Sequence, residues 1–166
     1  MKHKYNSFEN YLTARVKEKR GPFLATDIII EYSNNGKKGI VLIERKNYPY
    51  GLALPGGMAE NNLTLHENAI KEAREETGLE VKLYEPLDSP FCVMSELDQD
   101  PRARIVSVTY IGKGCGELKP HPKEDAKDAK VCDRDEIIEL LRKDSVWAMP
   151  HHRKIVEKYI NERWKR

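Results

Sequence analysis

Runs of apolar and β-branched residues predict several strands along the chain. The runs at 23–32 and 39–44 predict two long ones, and Asn35-Gly36 between them is typical of a tight hairpin turn. Shorter runs at 79–84 and 104–112 predict two further strands. These strands are expected to belong to one mixed sheet.

Helical spacing of apolar residues predicts four helices, at about 7–19 and at 64–77, 133–143 and 151–164. The second of these has clear ends. Thr64 and Glu67 have the spacing of a capping box, and Gly78 is a typical C-terminal stop.

The order of these elements predicts an α/β sandwich with a mixed β-sheet between helices. We expect one domain over residues 1–166, with the helix at 7–19 preceding the first strand, because no shift in composition marks a boundary. The polar segment 113–130 is interpreted as a long surface loop.

Composition narrows the function classes. The 29 basic residues nearly balance the 27 acidic ones, and a net charge of +2 argues against a nucleic-acid binder. No apolar run is long enough for a membrane span, and the first residues lack a secretory signal. Three widely spaced cysteines (Cys92, Cys115 and Cys132) fit a reducing cytoplasm.

An acidic cluster in the helix at 64–77 is the first sign of chemistry. Glu72, Glu75 and Glu76 have i, i+3 and i+4 spacing, so their carboxylates share one helix face and repel one another. A hard divalent cation would turn that repulsion into coordination, which favours Mg²⁺ or Mn²⁺. Gly56 and Gly57 precede the helix and allow the backbone close to a ligand or ion. A solvated acidic face is the alternative.

The spacing of this segment resembles the signature of the Nudix hydrolases. Seven positions match in register: Gly57, Glu72, Ala73, Glu75, Glu76, Gly78 and Leu79. The resemblance implies a Nudix sandwich and a hydrolase of phosphoric anhydride bonds. It also implies metal ligation by Gly56, Glu72, Glu75 and Glu76, with Glu72 and Glu75 among the catalytic residues.

Two positions depart from the signature. Leu63 stands where the family has its first glutamate, and Lys71 stands where it has arginine. In the family these two side chains support the site, so the resemblance implies an intact ligand set with altered support. Glu60 or Glu67 is a candidate replacement for the missing acid.

Other segments resemble ADP-ribose pyrophosphatase-type members. They are the approach to the box at 44–57, the Asp100-Pro101-Arg102 triplet before a strand, and 148–151 at the last helix. Leu52 and Leu97 replace a tryptophan and a proline common in that group. The implied reaction converts ADP-ribose to AMP and ribose 5-phosphate.

A hydrolase also needs a base and substrate contacts. The resemblance implies a catalytic base, or an extra metal ligand, in the loop at 113–130. The candidates are Glu117, Glu124, Asp125 and Asp128, and Glu124 is favoured because it lies several residues before the strand at 129–132. Arg45 and Arg102 are candidate phosphate ligands, since a guanidinium matches phosphate oxygens. Tyr48 and Tyr50 are candidates for stacking on a base. The adjacent His151 and His152 are interpreted as structural or surface residues on different helix faces.

Three functions remain open on the sequence. The first is a metal-dependent pyrophosphohydrolase of nucleoside diphosphate-linked compounds. The second is a hydrolase of nucleoside triphosphates or dinucleoside polyphosphates, and the third is a Nudix-fold ligand-binding or sensing module of weak activity. The expected partner is a small nucleotide. A homodimer is also consistent with the N-terminal helix.

Overall fold

The computed structural model describes residues Asn10, Thr13, 21–34, 36–120 and 126–164. Apart from Asn10 and Thr13, which are helical, the predicted helix at 7–19 lies outside the described residues. Eight strands form one mixed sheet in this part of the chain. The strands are β1 (Phe23–Asn34), β2 (Lys37–Arg45), β3 (Leu52–Ala53), β4 (Gly56–Met58), β5 (Glu80–Leu83), β6 (Cys92–Met94), β7 (Ile105–Cys115) and β8 (Ala126–Cys132).

The central strand β1 organises the sheet. It pairs antiparallel with β2 through the predicted hairpin, where Asn34 faces Lys37, and antiparallel with β4. It pairs parallel with β7 along its other edge, from the Phe23–Ile105 pair onward. Strand β8 is antiparallel to β2, and strands β5 and β6 are antiparallel to β7.

Between residues 21 and 164, the described part of the chain has three α-helices that cover the sheet. They are α1 (Leu65–Thr77), α2 (Arg134–Leu141) and α3 (Pro150–Glu162). A short 3₁₀ helix at Asp144–Val146 links the last two. Helix α1 starts after the predicted capping box at Thr64 and ends at Gly78, which is left-handed at φ 75°. Helix α2 has a second capping box, from Asp133.

Alternation along β1 gives the molecule two apolar layers. Ile28 and Ile30 pack toward Ala69 and Ala73 of α1, while Ile29 packs toward Ile155 and the rest of α3. The predicted sandwich, a mixed sheet between helices, is therefore confirmed. Asp27 lies two residues before Ile29, so its side chain lies on the α3 face of the sheet.

The predicted loop at 113–130 is wrong at both ends. Strand β7 continues to Cys115, and β8 begins at Ala126. Strand β8 alternates charged, exposed residues with small alanines, so it lacks the apolar run that marks a strand in sequence. Pairing with β2 determines its structure instead.

Candidate active site

A cavity of about 410 Å³ lies between α1, the first turn of α3 and the turn that enters β4 at residues 54–57, called the β4 turn below. Two sets of polar residues line it, and they are called the first and the second wall below. The first wall carries the carboxylates of Glu60, Glu72 and Glu76. The second wall carries charged and imidazole groups, from Asp27, Arg45, Asp100, Arg102, His151 and His152.

Helix α1 presents Glu72 and Glu76 one turn apart on the first wall. Glu76 is only 2% exposed, and its Oε2 accepts the backbone N–H of Gly56 at 2.8 Å. Burial raises the pKa of Glu72, and the nearby Lys71 ammonium offsets part of that rise. A Cβ atom on Gly57 would lie 2.5 Å from Glu72 Cδ, so a larger residue at this position would displace the Glu72 carboxylate.

The ammonium of Lys71 forms ion pairs with three carboxylates at the first wall. Its Nζ lies 2.5 Å from Glu75 Oε2, 3.2 Å from Glu60 Oε1 and 3.6 Å from Glu72 Oε1. The hydrogen bond that Lys71 donates to Glu75 raises the pKa of Lys71, so the ammonium stays charged. Of the two candidate replacements for the acid missing at Leu63, Glu60 is therefore the one that contacts Lys71.

Glu67, the other candidate replacement, serves a different purpose. Its carboxylate accepts the backbone N–H and the hydroxyl of Thr64, at 2.9 and 2.6 Å, in the α1 capping box. It therefore stabilises the start of the helix and is not bonded to Lys71.

The first wall fits a hard divalent cation. It offers oxygen atoms on two side chains of one helix, in a cluster with more acidic than basic groups. The Nudix fold generally uses such a cation, and the buried carboxylates here would be neutralised by it. Glu72 and Glu76 are the residues best placed to hold the ion, because both line the cavity, whereas Glu75 is bonded to Lys71.

Asp27 is the centre of the second wall. It is 5% exposed, and burial raises its pKa. Its Oδ2 accepts the hydroxyl of Ser107 on the neighbouring strand β7, and its Oδ1 lies 3.6 Å from His152 Nε2. A Cβ on Gly56 would lie 2.6 Å from Asp27 Oδ1, and a Cβ on Gly57 would meet the Glu72 carboxylate. The turn therefore passes close to an acidic group of each wall.

The two histidines have fixed and opposite tautomers. Leu54 N–H donates to His152 Nδ1 at 2.8 Å, so Nε2 carries the ring proton of the neutral His152. His151 Nδ1 lies 3.1 Å from the carbonyl oxygen of Gln99 and must donate to it, which leaves Nε2 as an acceptor. Burial lowers the pKa of His151 to about 4 and that of His152 to about 3, so both are neutral at pH 7.

Two groups in the cavity could hold a metal ion, the carboxylates of the first wall and a cluster of one aspartate and two histidines, and the tautomers favour the first. Asp27, His151 and His152 place one polar atom each within 4.8 Å of one another, a spacing that a metal ion could bridge. The lone pair of His152 already accepts the Leu54 N–H, however, and its other nitrogen carries a proton. The carboxylate wall therefore fits a cation better than the histidine cluster does.

Both predicted arginines line the cavity. Arg45 is buried at the end of β2, where its Nε donates to the Pro49 carbonyl at 2.8 Å. Arg102 is half-exposed and donates to both carboxylate oxygens of Asp100, at 3.0 and 2.7 Å. Burial would raise the pKa of Asp100, but these hydrogen bonds outweigh it and lower the pKa.

Other predicted site residues lie elsewhere. Tyr48 and Tyr50 contact each other edge to face at 6.2 Å, are 59% and 69% exposed, and are not part of the cavity lining. Glu124 lies outside the described residues.

Sequence reasoning missed Asp27 and left two interpretations of the histidines open. His151 and His152 are both buried and both line the cavity, with rings 4.4 Å apart, so the surface interpretation is wrong and the structural one is not contradicted. The sequence signal for Asp27 is a charged residue directly before three isoleucines in a buried strand. No comparable signal marks the histidines, because their helix begins with an ordinary polar turn.

The sequence model of the NUDIX domain matches residues 22–157, and the chain belongs to this family. The predicted assignment as a Nudix-type hydrolase is thereby confirmed. The ADP-ribose pyrophosphatase of Methanocaldococcus jannaschii is 37% identical over 147 residues, which is 87% of this chain and 75% of that protein.

Solved structures share the fold. A NUDIX hydrolase from Nitrosomonas europaea has a TM-score of 0.68 and 22% identity, over 87% of this chain and 73% of that one. The NUDIX domain of Shewanella oneidensis NrtR, crystallised with ADP ribose, has a TM-score of 0.69 and 17% identity, over 96% and 99% of the two chains. None of the described helices is long and apolar enough to cross a membrane.

Proposed function

We propose that this chain hydrolyses ADP-ribose to AMP and ribose 5-phosphate with Mg²⁺ or Mn²⁺. The observation that carries the proposal is that one cavity is lined both by the carboxylates of the first wall and by the arginine, aspartate and histidine side chains of the second. A sugar-linked diphosphate needs a central cation and a polar group for each end. The relative that is 37% identical is an ADP-ribose pyrophosphatase, which supports the same substrate.

Glu72 and Glu76 are the proposed metal ligands, with Glu75 and the backbone of Gly56 close to the ion. When bound, the cation would neutralise the diphosphate and lower the pKa of an attacking water. Arg45 and Arg102 are the proposed phosphate contacts. Tyr48 and Tyr50 remain proposed contacts for the base, at the surface beside Arg45.

Glu124 is the proposed catalytic base. Support comes from strand β8, whose first residue, Ala126, pairs with Arg45 of the cavity. Strand β8 thus begins at the cavity end of the sheet, two residues after Glu124 in the sequence. The variant Glu124→Gln should lower kcat strongly with little change in KM, and an unchanged kcat would exclude this residue as the base.

A substrate panel tests the proposed function. The protein with Mg²⁺ is offered ADP-ribose, nucleoside triphosphates and dinucleoside polyphosphates, and products are separated by chromatography. We expect AMP and ribose 5-phosphate from ADP-ribose, and loss of turnover in excess chelator. Turnover of triphosphates alone would favour the second function, and no turnover of any compound would favour a binding module.

A further inference from the structure

Asp27, His151 and His152 form a buried polar group that the proposed hydrolysis leaves without a role. They line the same cavity as the carboxylates, but they lie on the α3 side of the sheet. All three are at most 5% exposed. Such a group is costly to bury unless hydrogen bonds satisfy it, so its pattern of donors and acceptors is informative.

In this group, two acceptor atoms, Asp27 Oδ1 and His151 Nε2, are placed to accept hydrogen bonds from a ligand. Ser107 occupies Asp27 Oδ2, and Oδ1 remains beside the cavity, 3.6 Å from the Nε2–H of His152. The carbonyl of Gln99 takes the proton of His151 Nδ1, so Nε2 of that ring accepts. Neighbouring acceptors on separate side chains match a ligand with neighbouring hydroxyl donors.

The lining of the cavity favours a sugar over a base or a phosphate at this end. Among its described lining residues no phenylalanine, tyrosine or tryptophan is present on which a purine could stack. A phosphate beside the Asp27 carboxyl would place like charges together. Carboxylates are, in contrast, common acceptors for the hydroxyls of ribose.

We infer that Asp27 and His151 accept the two vicinal hydroxyls of the ribose on the non-adenosine side of ADP-ribose. The inference rests on the proposed function, since it assigns one end of that substrate. The adenosine ribose is a poorer fit, because it is linked to a base that needs its own surface. Arg102, half-exposed beside Asp100, is placed to contact the adjoining phosphate.

Direct binding of the two product halves tests this assignment without requiring turnover. NMR titration with Mg²⁺ would compare ribose 5-phosphate, 2-deoxyribose 5-phosphate and AMP. For the unaltered protein we expect the deoxy sugar to bind at least about fivefold more weakly than ribose 5-phosphate. Equal affinity for the two sugar phosphates would overturn the inference.

Two variants locate the contact on the protein. Asp27→Asn and His151→Phe should each weaken ribose 5-phosphate at least about tenfold and leave AMP within twofold. Equal weakening of AMP would place the group on the adenosine side and overturn the inference, as would unchanged binding of ribose 5-phosphate. If a variant does not fold, the deoxy-sugar comparison on the unaltered protein still decides.

Glu31→Gln is the matched control. Glu31 lies on β1 as Asp27 does, accepts hydrogen bonds from Tyr84 and Tyr159, and is not part of the cavity lining. We expect this variant to bind all three ligands like the unaltered protein. Absence of ADP-ribose hydrolysis by the unaltered protein would instead count against the proposed function, whatever the binding results.

Discussion

Glu76 is a residue whose charge matters more to turnover than to folding. It is buried beside Glu72, and its Oε2 accepts the Gly56 N–H. Glutamine keeps an acceptor oxygen at that position while it removes one charge from a like-charged cluster. We expect Glu76→Gln to lower kcat/KM more than about 100-fold without lowering Tm, as measured by steady-state kinetics and thermal unfolding.

The control for this variant is Glu139→Gln, on the exposed surface of α2 where Glu139 pairs with Arg142. It removes the same charge far from the cavity, so both kcat/KM and Tm should stay close to those of the unaltered protein. Normal turnover by Glu76→Gln would exclude Glu76 as a ligand of the cation.

Lys71 is the second residue with a separable role. Its ammonium contacts Glu60, Glu72 and Glu75, so its removal leaves the cluster with uncompensated charge and free to move. We expect Lys71→Met to weaken the activation constant for Mg²⁺ by about 10–100-fold. Lys71→Arg keeps the charge and should stay within about threefold, and equal Mg²⁺ constants for Lys71→Met and the unaltered protein would contradict this role.

At the scale of elements, the two glycines of the β4 turn are expected to affect different properties, Gly57 the turnover and Gly56 the stability. A Cβ on Gly57 would meet the end of the Glu72 side chain, which can move, whereas a Cβ on Gly56 would lie 2.2 Å from the backbone oxygen of Thr26, which cannot. We expect Gly57→Ala to lower kcat/KM more than about tenfold with Tm nearly unchanged. Gly56→Ala should lower Tm clearly, by the cost of an overpacked strand pair.

Measuring kinetics and thermal unfolding on both variants checks this contrast. The two substitutions are identical and adjacent, so each serves as the control for the other. A large fall in Tm for Gly57→Ala would show that the turn is rigid at both positions and would contradict the proposed displacement of Glu72.

Elements whose ends are marked by capping residues in the sequence were predictable. Short strands that form only by hydrogen bonding to a neighbouring strand were not. Helix α1 was predicted to within one residue because Thr64, Glu67 and Gly78 fix its ends locally. The short strands β3, β4 and β6 have two or three residues each and carry no periodicity. They exist because longer neighbours offer free backbone groups.

The candidate site divides in the same way. The carboxylate wall comes from one helix, so a linear motif reports it. The second wall joins β1, the end of β2, the segment before β7 and the start of α3, which are far apart in sequence. Parallel pairing of β1 with β7 brings Asp27 beside Ser107. The sequence also left open which acid contacts Lys71, since Leu63 cannot. The contact from Glu60 depends on where the loop before α1 places its side chains.

At the scale of the whole molecule, the buried histidines couple stability to pH. Their pKa values in the folded protein, about 4 for His151 and about 3 for His152, lie below the ordinary value of 6.5. The unfolded chain therefore binds protons first as pH falls, and stability is lost from about pH 6.5 downward. At pH 5 the loss is about 2 kcal/mol for each histidine, equivalent to roughly 4–8 °C in Tm.

Thermal unfolding between pH 7 and pH 5 measures this effect. We expect His152→Asn, which keeps an acceptor near Leu54 N–H, to lose less Tm over this range than the unaltered protein by about that amount. His66→Gln, on the α1 surface, should follow the unaltered protein. Parallel profiles for all three proteins would show that His152 is not buried in its neutral form.

The choice of substrate is also a property of the whole cavity, because it depends on both walls. ADP-ribose would place its diphosphate at the carboxylate wall and an uncharged sugar at the second wall. A triphosphate would bring a further negative charge toward the carboxylates of Asp27 and Asp100. We expect kcat/KM for ADP-ribose to exceed that for any canonical or oxidised nucleoside triphosphate by at least about tenfold, or ~1.4 kcal/mol in transition-state binding. Side-by-side kinetics at fixed Mg²⁺ measures the ratio, and a preference for a triphosphate would mean that the second wall does not receive a sugar.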